Sequence, residues 1–309
     1  MIRSMLVVPP LTPGMLDKAL TTDADALMVE LEDGIHRSRK DEARQAVAEF
    51  IARGEFADKV ILVRVNDVLT PAGQEDLRRL AALRAPAVIL PKVRSKLDVE
   101  RADEIMKRAE TDASMPVGGT RIWVMIETTD AVLNLEEIAA APRVAGFTFG
   151  AGDMSAELRV RRIGVGADRP IWSFPLELIY AKQRAVAVAR SRGLTVLDTG
   201  FSSFRDLEGT GRAALISAQM GFDGTGCFSP KQIAPIHSEF TPTNQEYDWA
   251  CRAVAALAEA DRRGETVVVL DGEMVEGPLV RSAQAMIHRY ETYAARDLAR
   301  QAARAVAAA

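Results

Sequence analysis

Eight short apolar, β-branched runs that alternate with longer amphipathic segments predict a (β/α)8 barrel with a C-terminal extension. Runs that are apolar throughout are typical of parallel strands covered by helices. The eight units occupy about 240 residues, and this fold usually takes roughly 250. A doubly wound open sheet is the alternative, but no Gly-x-Gly-x-x-Gly follows the first run to support it.

The predicted elements follow the alternating order that the barrel requires. Strands are predicted at Met5–Val8, Ala26–Leu31, Val60–Val65, Ala87–Leu90, Ile122–Ile126, Gly146–Phe149, Leu194–Leu197 and around Gly221–Gly224. Helices are predicted at Leu16–Thr21, Lys40–Ala52, Gln74–Leu83, Lys96–Glu110, Leu135–Ala140, Leu176–Arg192 and Gly211–Gln219. We therefore assign residues 1–242 to a barrel domain.

Residues 243–309 form the predicted extension. Asn244–Arg263 has the pattern of a polar-faced helix, and Asp271-Gly272 separates two short runs, Thr266–Val269 and Glu273–Val275, as in a β-hairpin. A last helix is predicted from about Pro278 into the alanine- and arginine-rich end. So short a segment has little core of its own, so we expect it to pack on the barrel or on a neighbouring subunit.

Composition excludes several classes of protein. The 39 Lys and Arg against 43 Asp and Glu give a net charge of −4, without the positive footprint of a nucleic-acid-binding protein. Two cysteines and three scattered histidines make neither a disulfide framework nor a zinc motif. No signal peptide is evident, and no run approaches the ~18 apolar residues of a membrane span. These features predict a soluble, cytoplasmic protein with no membrane partner.

Charged or polar residues stand at the ends of six predicted strands: Glu32-Asp33, Arg64 with Asn66, Lys92, Glu127, Asp153 and Asp198. Any one of them alone could be a solvated strand end or a helix cap. In a barrel all six reach the C-terminal mouth, where active sites of this fold are built. The set therefore predicts an active site at the mouth.

Glu127 and Asp153 end successive strands and are the candidate metal ligands. Two carboxylates with open coordination positions suit Mg²⁺, whose octahedral shell is completed by water and substrate. The alternative is that each carboxylate is held by an arginine or by a helix N-terminus.

Arg64 and Lys92 are the candidate cations of the site. Arg64 offers a planar fork of donors for a carboxylate or an enolate oxyanion. A salt bridge to Glu32 or Asp33 is its alternative role and is compatible with the first. Lys92 could form a Schiff base if burial lowered its pKa, although a charge partner is the commoner role of such a lysine.

The chain resembles the citrate lyase β-subunit-like family in motifs that follow the family's order. RSMLVVPP with DKAL, VELEDGIHRSRKDEAR, VRVN, LPK, IETTDAVLNLEEIA, FGAGDMS and GFDGTGCFSPKQIAPIHSEFTPT carry the resemblance over essentially the whole chain. The family belongs to the HpcH/HpaI aldolase superfamily and includes malyl-CoA and citramalyl-CoA lyases. The resemblance implies a (β/α)8 barrel, Mg²⁺ as cofactor, and a homo-oligomer, a trimer or a hexamer.

The resemblance also implies roles for individual residues. Glu127 and Asp153 match the Mg²⁺ ligands, Arg64 matches the substrate-binding arginine, and Lys18 matches a lysine near the CoA phosphates. Glu32 and Asp33 lie in the matching acidic segment and are assigned to substrate binding. Glu276 stands in a Met-Val-Glu-x-Pro segment that is similar to a lid motif, whose acid reaches a neighbouring subunit's site.

Four departures from the family pattern concern the CoA side and the lid. Pro10 replaces a glycine, Thr12 stands where malyl-CoA lyases have a CoA-contacting arginine, and Gly226-Cys227-Phe228-Ser229 replaces a segment ending in Ile-His. Glu276 replaces the lid aspartate, which keeps the charge and adds one methylene.

The expected function is a Mg²⁺-dependent carbon–carbon lyase that cleaves a β-hydroxyacyl-CoA of the malyl-CoA or citramalyl-CoA type into an acyl-CoA and a 2-oxo acid. Arg64 would stabilise the thioester enolate, and Glu276 is the candidate acid/base. The alternatives are a metal-dependent aldolase for free 2-oxo acids, a Schiff-base aldolase using Lys92, and a non-catalytic acyl-CoA or organic-acid binding paralogue.

Overall fold

The computed structural model describes residues 1–56, 58–160 and 176–308, which divide into two compact units. One unit is Ile2–His237, and the other is Ser238–Ala309 together with Met1. In the first unit eight parallel strands pair in chain order, and β8 pairs back to β1 to close a barrel. The predicted fold class is therefore confirmed.

The strands and helices of the barrel unit alternate along the chain. The strands are β1 (Ser4–Val8), β2 (Ala26–Glu30), β3 (Val60–Arg64), β4 (Ala87–Leu90), β5 (Arg121–Ile126), β6 (Val144–Phe149), β7 (Thr195–Asp198) and β8 (Gly224–Cys227). The helices are α1 (Met15–Leu20), α2 (Lys40–Arg53), α3 (Pro71–Ala82), α4 (Lys96–Asp112), α5 (Thr129–Leu133), α6 (Leu135–Ala139), α7 (Ala151–Glu157), α8 (Ile179–Arg192), α9 (Leu207–Met220) and α10 (Ile233–Phe240).

Side chains from alternate strand positions fill the interior of the barrel. The interior cluster consists of Ile2, Met5, Ala26, Met28, Leu62, Ala87, Ile89, Trp123, Met125 and Leu197. The intervening strand residues, such as Leu27 and Val63, are also fully buried. Burial on both faces explains why the strands read as continuous apolar runs. Because the interior is packed, the strand ends and their loops are where a ligand can bind.

The eighth strand lies three residues later than the sequence predicts. Gly221, at φ +94°, is the left-handed residue that ends α9, so it cannot begin a strand. The carboxylate of Asp223 accepts a hydrogen bond from the backbone N–H of Val196 at 2.8 Å, which fixes the turn before β8. The apolar and glycine residues around Gly221 are thus a helix end and a turn.

Three barrel helices, α5, α7 and α10, were not predicted, and α3 and α9 begin three and four residues earlier than predicted. Helix α7 follows β6 directly and contains Asp153 in its first turn, and α10 follows β8. Helix α3 begins at Pro71 because the hydroxyl of Thr70 accepts a hydrogen bond from the N–H of Gly73 as an N-cap.

The second unit contains two helices and a hairpin, α11 (Asn244–Arg262), β9 (Val268–Leu270), β10 (Glu273–Val275) and α12 (Gly277–Ala308). The predicted hairpin is present, and Asp271 and Gly272 both have positive φ, as a two-residue hairpin turn requires. Tyr247 and Tyr290 stack at 4.2 Å between ring centroids and join α11 to α12. Among the residues described, we find no helix that combines the length and the apolar character needed to cross a membrane.

Candidate active site

An ion pair at the ends of β2 and β3 forms the base of the site. The two strands are in register so that Glu30 lies beside Arg64, and each strand ends in that charge. Arg64 donates from Nε to Glu30 Oε2 at 2.7 Å, and its Nη2 lies 2.5 Å from the same oxygen. Burial raises the pKa of Glu30 despite the opposing charge of Arg64, so the carboxylate depends on this arginine to remain charged.

Glu30 contacts only the Nε and Nη2 edge of the Arg64 guanidinium, so Nη1 faces other side chains. Its Nη1 lies 3.4 Å from Glu32 Oε2 and 3.7 Å from the sulfur of Met125, both longer than a strong hydrogen bond. Glu32 Oε2 is buried and has no hydrogen-bond partner among the described residues. Arg64 is therefore held along one edge while Nη1 retains the capacity to donate to an anion.

Lys92 connects the loop after β2 to the end of β5. Its backbone N–H donates to Glu127 Oε1 at 2.7 Å, while Nζ donates to Glu32 Oε1 and lies 3.2 Å from Asp33 Oδ2. Burial acts to lower the pKa of Lys92, but the hydrogen bonds and charges of Glu32 and Asp33 outweigh it, and the pKa is raised. A protonated amine is not a nucleophile, so this geometry favours a charge partner over a Schiff-base lysine.

Glu127 is the first residue after β5 and is 1% exposed. Burial, with the nearby charges of Asp153 and Glu32, raises its pKa to about 8, although the Lys92 N–H and the Arg64 charge act in the opposite direction. A Cβ at Gly150 would lie 2.5 Å from Glu127 Oε2, so the close approach of β6 to this carboxylate requires glycine. Asp153 is exposed on the first turn of α7.

The charges at the mouth suit a divalent cation. Three cations, Arg64, Lys92 and Lys40, face five carboxylates, those of Glu30, Glu32, Asp33, Glu127 and Asp153. Burial and the neighbouring acids outweigh the Lys92 N–H and the Arg64 charge and raise the pKa of Glu127, so a bound cation would stabilise its charged carboxylate. Within the described part of the chain, no three His, Cys, Asp or Glu side chains form a metal-holding group. A pair of carboxylates matches Mg²⁺, which keeps several waters, better than a metal enclosed by protein ligands.

Two predicted residues of the barrel unit, Lys18 and Asp198, lie apart from this cluster, and a third, Glu276, belongs to the other unit. Lys18 is exposed on α1, and no contact found among the described residues joins it to the acidic groups. Glu276 belongs to the second unit, where it is half-buried between β10 and α12. The prediction that Asp198 lies at the mouth is wrong, because its side chain points away from the mouth. It accepts hydrogen bonds from Lys182 on α8 and Ser217 on α9, so it joins β7 to its covering helices.

Sequence reasoning missed Glu30 and Lys40. Glu30 is the only charge inside the run ALMVE, and Arg64 stands at the same fifth position of VILVR. That coincidence is a signal that neighbouring parallel strands pair these side chains. The Nζ of Lys40 donates to the carbonyls of Leu31 and Glu32 and so fixes the loop that carries the acidic residues.

The structure has a closed parallel barrel with acidic and basic side chains paired at its C-terminal mouth. This arrangement is typical of α/β-barrel enzymes. The profile of the HpcH/HpaI aldolase/citrate lyase family matches residues 3–230, and the chain belongs to this family.

Relatives of known name align over most of the chain. The citrate lyase subunit beta of Leuconostoc mesenteroides subsp. cremoris is 31% identical over 91% of this chain and 91% of its own length. A (3S)-malyl-CoA thioesterase of Cereibacter sphaeroides is 32% identical over 95% of this chain and 96% of its own. The crystal structure of Mycobacterium tuberculosis CitE in complex with magnesium, acetoacetate and coenzyme A superposes with a TM-score of 0.75 at 26% identity, covering 94% of this chain and 98% of that one.

Proposed function

We propose that the protein is a Mg²⁺-dependent carbon–carbon lyase that cleaves a β-hydroxyacyl-CoA, of the malyl-CoA or citramalyl-CoA type, into an acyl-CoA and a 2-oxo acid. The observation that carries the proposal is the buried Glu127 beside Asp153, whose charge its neighbours only partly compensate, at the same mouth as Arg64, which Glu30 holds in place. The relatives support it, because the M. tuberculosis structure holds magnesium, a 3-oxo acid and coenzyme A together.

Glu127 and Asp153 are the residues that would hold the cation. Bound there, Mg²⁺ would act as a Lewis acid toward the oxygens of the 2-oxo acid part of the substrate. The backbone N–H of Lys92 and the close packing of Gly150 fix the direction of the Glu127 carboxylate. The protein therefore presents a ligand that needs no rearrangement when substrate arrives.

Arg64 is the candidate catalytic residue. In the cleavage the β-hydroxyl loses its proton and becomes the carbonyl of the 2-oxo acid. The electron pair of the broken carbon–carbon bond passes to the thioester as an enolate, which then takes up a proton. Glu30 holds Nε and Nη2, so Nη1 is the donor that Arg64 can direct to the developing oxyanion. Because a guanidinium keeps its proton, it stabilises this charge without quenching it.

Glu276 is proposed as the acid/base that protonates the enolate carbon, acting in the site of a neighbouring subunit. Support comes from its position after a hairpin whose apolar side chains are exposed in the isolated chain, Val269 at 70% and Met274 at 60%. Such side chains would be covered in a homo-oligomer, a trimer or a hexamer. Lys18 and the positions around Thr12 are proposed to face the CoA part of the substrate.

The trans-acting lid has a direct test by mixing inactive subunits. Glu127→Gln and Glu276→Gln proteins should each be nearly inactive, because each lacks one component of the site. Refolded together, they should recover a fraction of wild-type activity, since some interfaces pair an intact cation site with an intact lid. If mixed oligomers form and activity stays at the level of the single variants, Glu276 does not act across subunits.

Product analysis distinguishes the lyase from its nearest alternative. Since the aligned relatives include a thioesterase, hydrolysis of the thioester is the second candidate activity. Malyl-CoA cleaved by a lyase yields acetyl-CoA and glyoxylate, whereas hydrolysis yields malate and free CoA thiol. Parallel assays of 2-oxo acid with phenylhydrazine and of thiol with a disulfide reagent should show 2-oxo acid matching substrate loss, and no thiol. Stoichiometric thiol without 2-oxo acid would overturn the lyase proposal.

Two further outcomes would assign the protein elsewhere. Turnover of free 4-hydroxy-2-oxo acids without turnover of any acyl-CoA would make it a metal-dependent aldolase. Thermal stabilisation by acyl-CoA or an organic acid without any turnover would make it a binding paralogue. In each assay EDTA and the Glu127→Gln variant serve as controls for the cation.

A further inference from the structure

Lys92 has an unusual backbone for its place in the barrel. It lies two residues after the end of β4 and has φ +54°, a left-handed conformation that residues with a Cβ rarely adopt. The other described non-glycine residues with positive φ follow helices or lie in the hairpin turn: Arg84, Ser114, Arg143, Arg159 and Asp271. In the described chain, Lys92 is thus the one such residue that follows a barrel strand at the mouth.

The left-handed backbone of Lys92 is associated with contacts from its N–H and from its side chain in two different directions. It accompanies a 2.7 Å hydrogen bond from the Lys92 N–H to Glu127 Oε1, which joins the end of β4 to the end of the neighbouring strand β5. The side chain of the same residue extends in another direction, to Glu32 and Asp33 in the loop after β2. One residue therefore contacts both acidic groups of the site.

We propose that Lys92 is a positioning residue that limits the divalent-cation site to Glu127 and Asp153. Its N–H fixes the Glu127 carboxylate, and its ammonium group retains Glu32 and Asp33 on the β2 side of the mouth. The inference rests on the proposed function, because it concerns the same cation site. It adds that the selectivity of the site for cations depends on a lysine that is not a ligand.

The consequence for cation selectivity follows from coordination chemistry. Mg²⁺ is satisfied by one or two carboxylates and retained water, whereas Ca²⁺ takes six to eight oxygen ligands in flexible geometry. With the Lys92 charge removed, Glu32, whose Oε2 is already without a hydrogen-bond partner among the described residues, and Asp33 become available to a cation. The site then gains carboxylate ligands and changes its preference toward Ca²⁺.

Calorimetric titration of the metal-free full-length protein with Mg²⁺ alone and with Ca²⁺ alone tests the inference. Lys92→Met removes the charge and retains most of the side-chain length. We expect it to bind Ca²⁺ more tightly than wild type and to change the ratio of Ca²⁺ to Mg²⁺ affinity by roughly tenfold toward Ca²⁺. Turnover of malyl-CoA with Mg²⁺ should fall at least about tenfold, since Glu32 is no longer held beside Arg64.

Matched variants separate this role from a general structural one. Lys92→Arg keeps the charge and should restore the wild-type selectivity. Lys96→Met removes a lysine that pairs with Glu100 on α4 outside the cluster, and it should leave both affinities unchanged. If Lys92→Met proves unstable, Lys92→Gly accepts the left-handed backbone without a side chain and should show the same change in selectivity.

The outcomes separate failure of the inference from failure of the proposed function. If wild type binds neither cation, or if Glu127→Gln binds both as wild type does, the proposed cation site itself is wrong. If wild type binds Mg²⁺ and Glu127→Gln abolishes binding, but the charge-removing Lys92 variants keep the wild-type ratio of affinities, the role of Lys92 alone is overturned.

Discussion

Replacing Glu127 with glutamine should stabilise the metal-free protein while abolishing its activity. The carboxylate is 1% exposed, and burial beside the charges of Asp153 and Glu32 raises its pKa to about 8. The folded state must therefore bear the cost of ionising this group as pH rises. Glutamine has a similar shape, and its carbonyl oxygen can still accept the hydrogen bond from Lys92, but it never ionises.

The magnitude follows from the linkage between protonation and folding. Unfolded, the group has its ordinary pKa of 4.5, so between this value and about 8 the folded state binds more protons at Glu127, and the contribution of Glu127 to wild-type stability falls as pH rises. One pKa unit corresponds to about 1.4 kcal/mol, so the cost at pH 7 is roughly 3 kcal/mol. For a domain of this size that is a gain in Tm of roughly 6 °C for the variant. Near pH 4.5 the gain should vanish, and above pH 8 it should be constant.

Thermal and denaturant unfolding in EDTA across pH 4.5 to 8.5 measure this dependence. Glu104→Gln, which removes an exposed carboxylate paired with Arg108 on α4, is the matched control and should show no such rise with pH. Added Mg²⁺ should then stabilise wild type and leave Glu127→Gln unchanged, because a cation that binds the folded state alone adds to its stability. A stability difference that is independent of pH, or a variant less stable than wild type, would refute the reasoning.

Two further predictions concern Glu30 and the cysteines. Glu30→Gln should lose most of the activity, because it removes the carboxylate that orients the Arg64 guanidinium, whereas Glu30→Asp keeps the charge and should recover part of the activity; wild-type kinetics for Glu30→Gln would show that Arg64 needs no such partner. Burial raises the pKa of Cys227 to about 12, so iodoacetamide at pH 8 should label only the partly exposed Cys251 in the native protein. After unfolding, both cysteines should be labelled, and mass spectrometry counts the labels. Rapid labelling of Cys227 in the native protein would contradict its burial.

Much of the fold was predictable because the signals of a barrel are local. The positions of β2 to β6 agree with the predicted runs to within one or two residues, since each strand is a short apolar run between capped helices. The segment GFDGTGC was misplaced because glycine carries no hydrophobic signal. The left-handed turn at Gly221 can be recognised only from the helix that it ends, because glycine is also found in strands and loops.

The composition of the site was harder to predict, because it depends on which way each charged side chain points. Interior residues of β2, β3 and β5 are Met28, Leu62 and Met125, and two residues further along each strand come Glu30, Arg64 and Glu127. Since side chains alternate along a strand, those three charges also point toward the barrel axis. On β7 the interior residue is Leu197, so the next residue, Asp198, points outward to Lys182.

The same alternation is invisible in the sequence, for a physical reason. A strand exposed on one face alternates polar with apolar residues, and this alternation marks the inward positions. The strands of a parallel barrel are buried on both faces, so ALMV and VILV contain no such mark. Parallel strand pairing identifies the inward positions instead, because Glu30 and Arg64 are neighbours in register. Opposite charges that meet at a buried strand end must point to the same side of the sheet in order to pair. Complementary charges at matched positions of successive strands are therefore the feature that identifies inward-pointing site residues in a sequence of this kind.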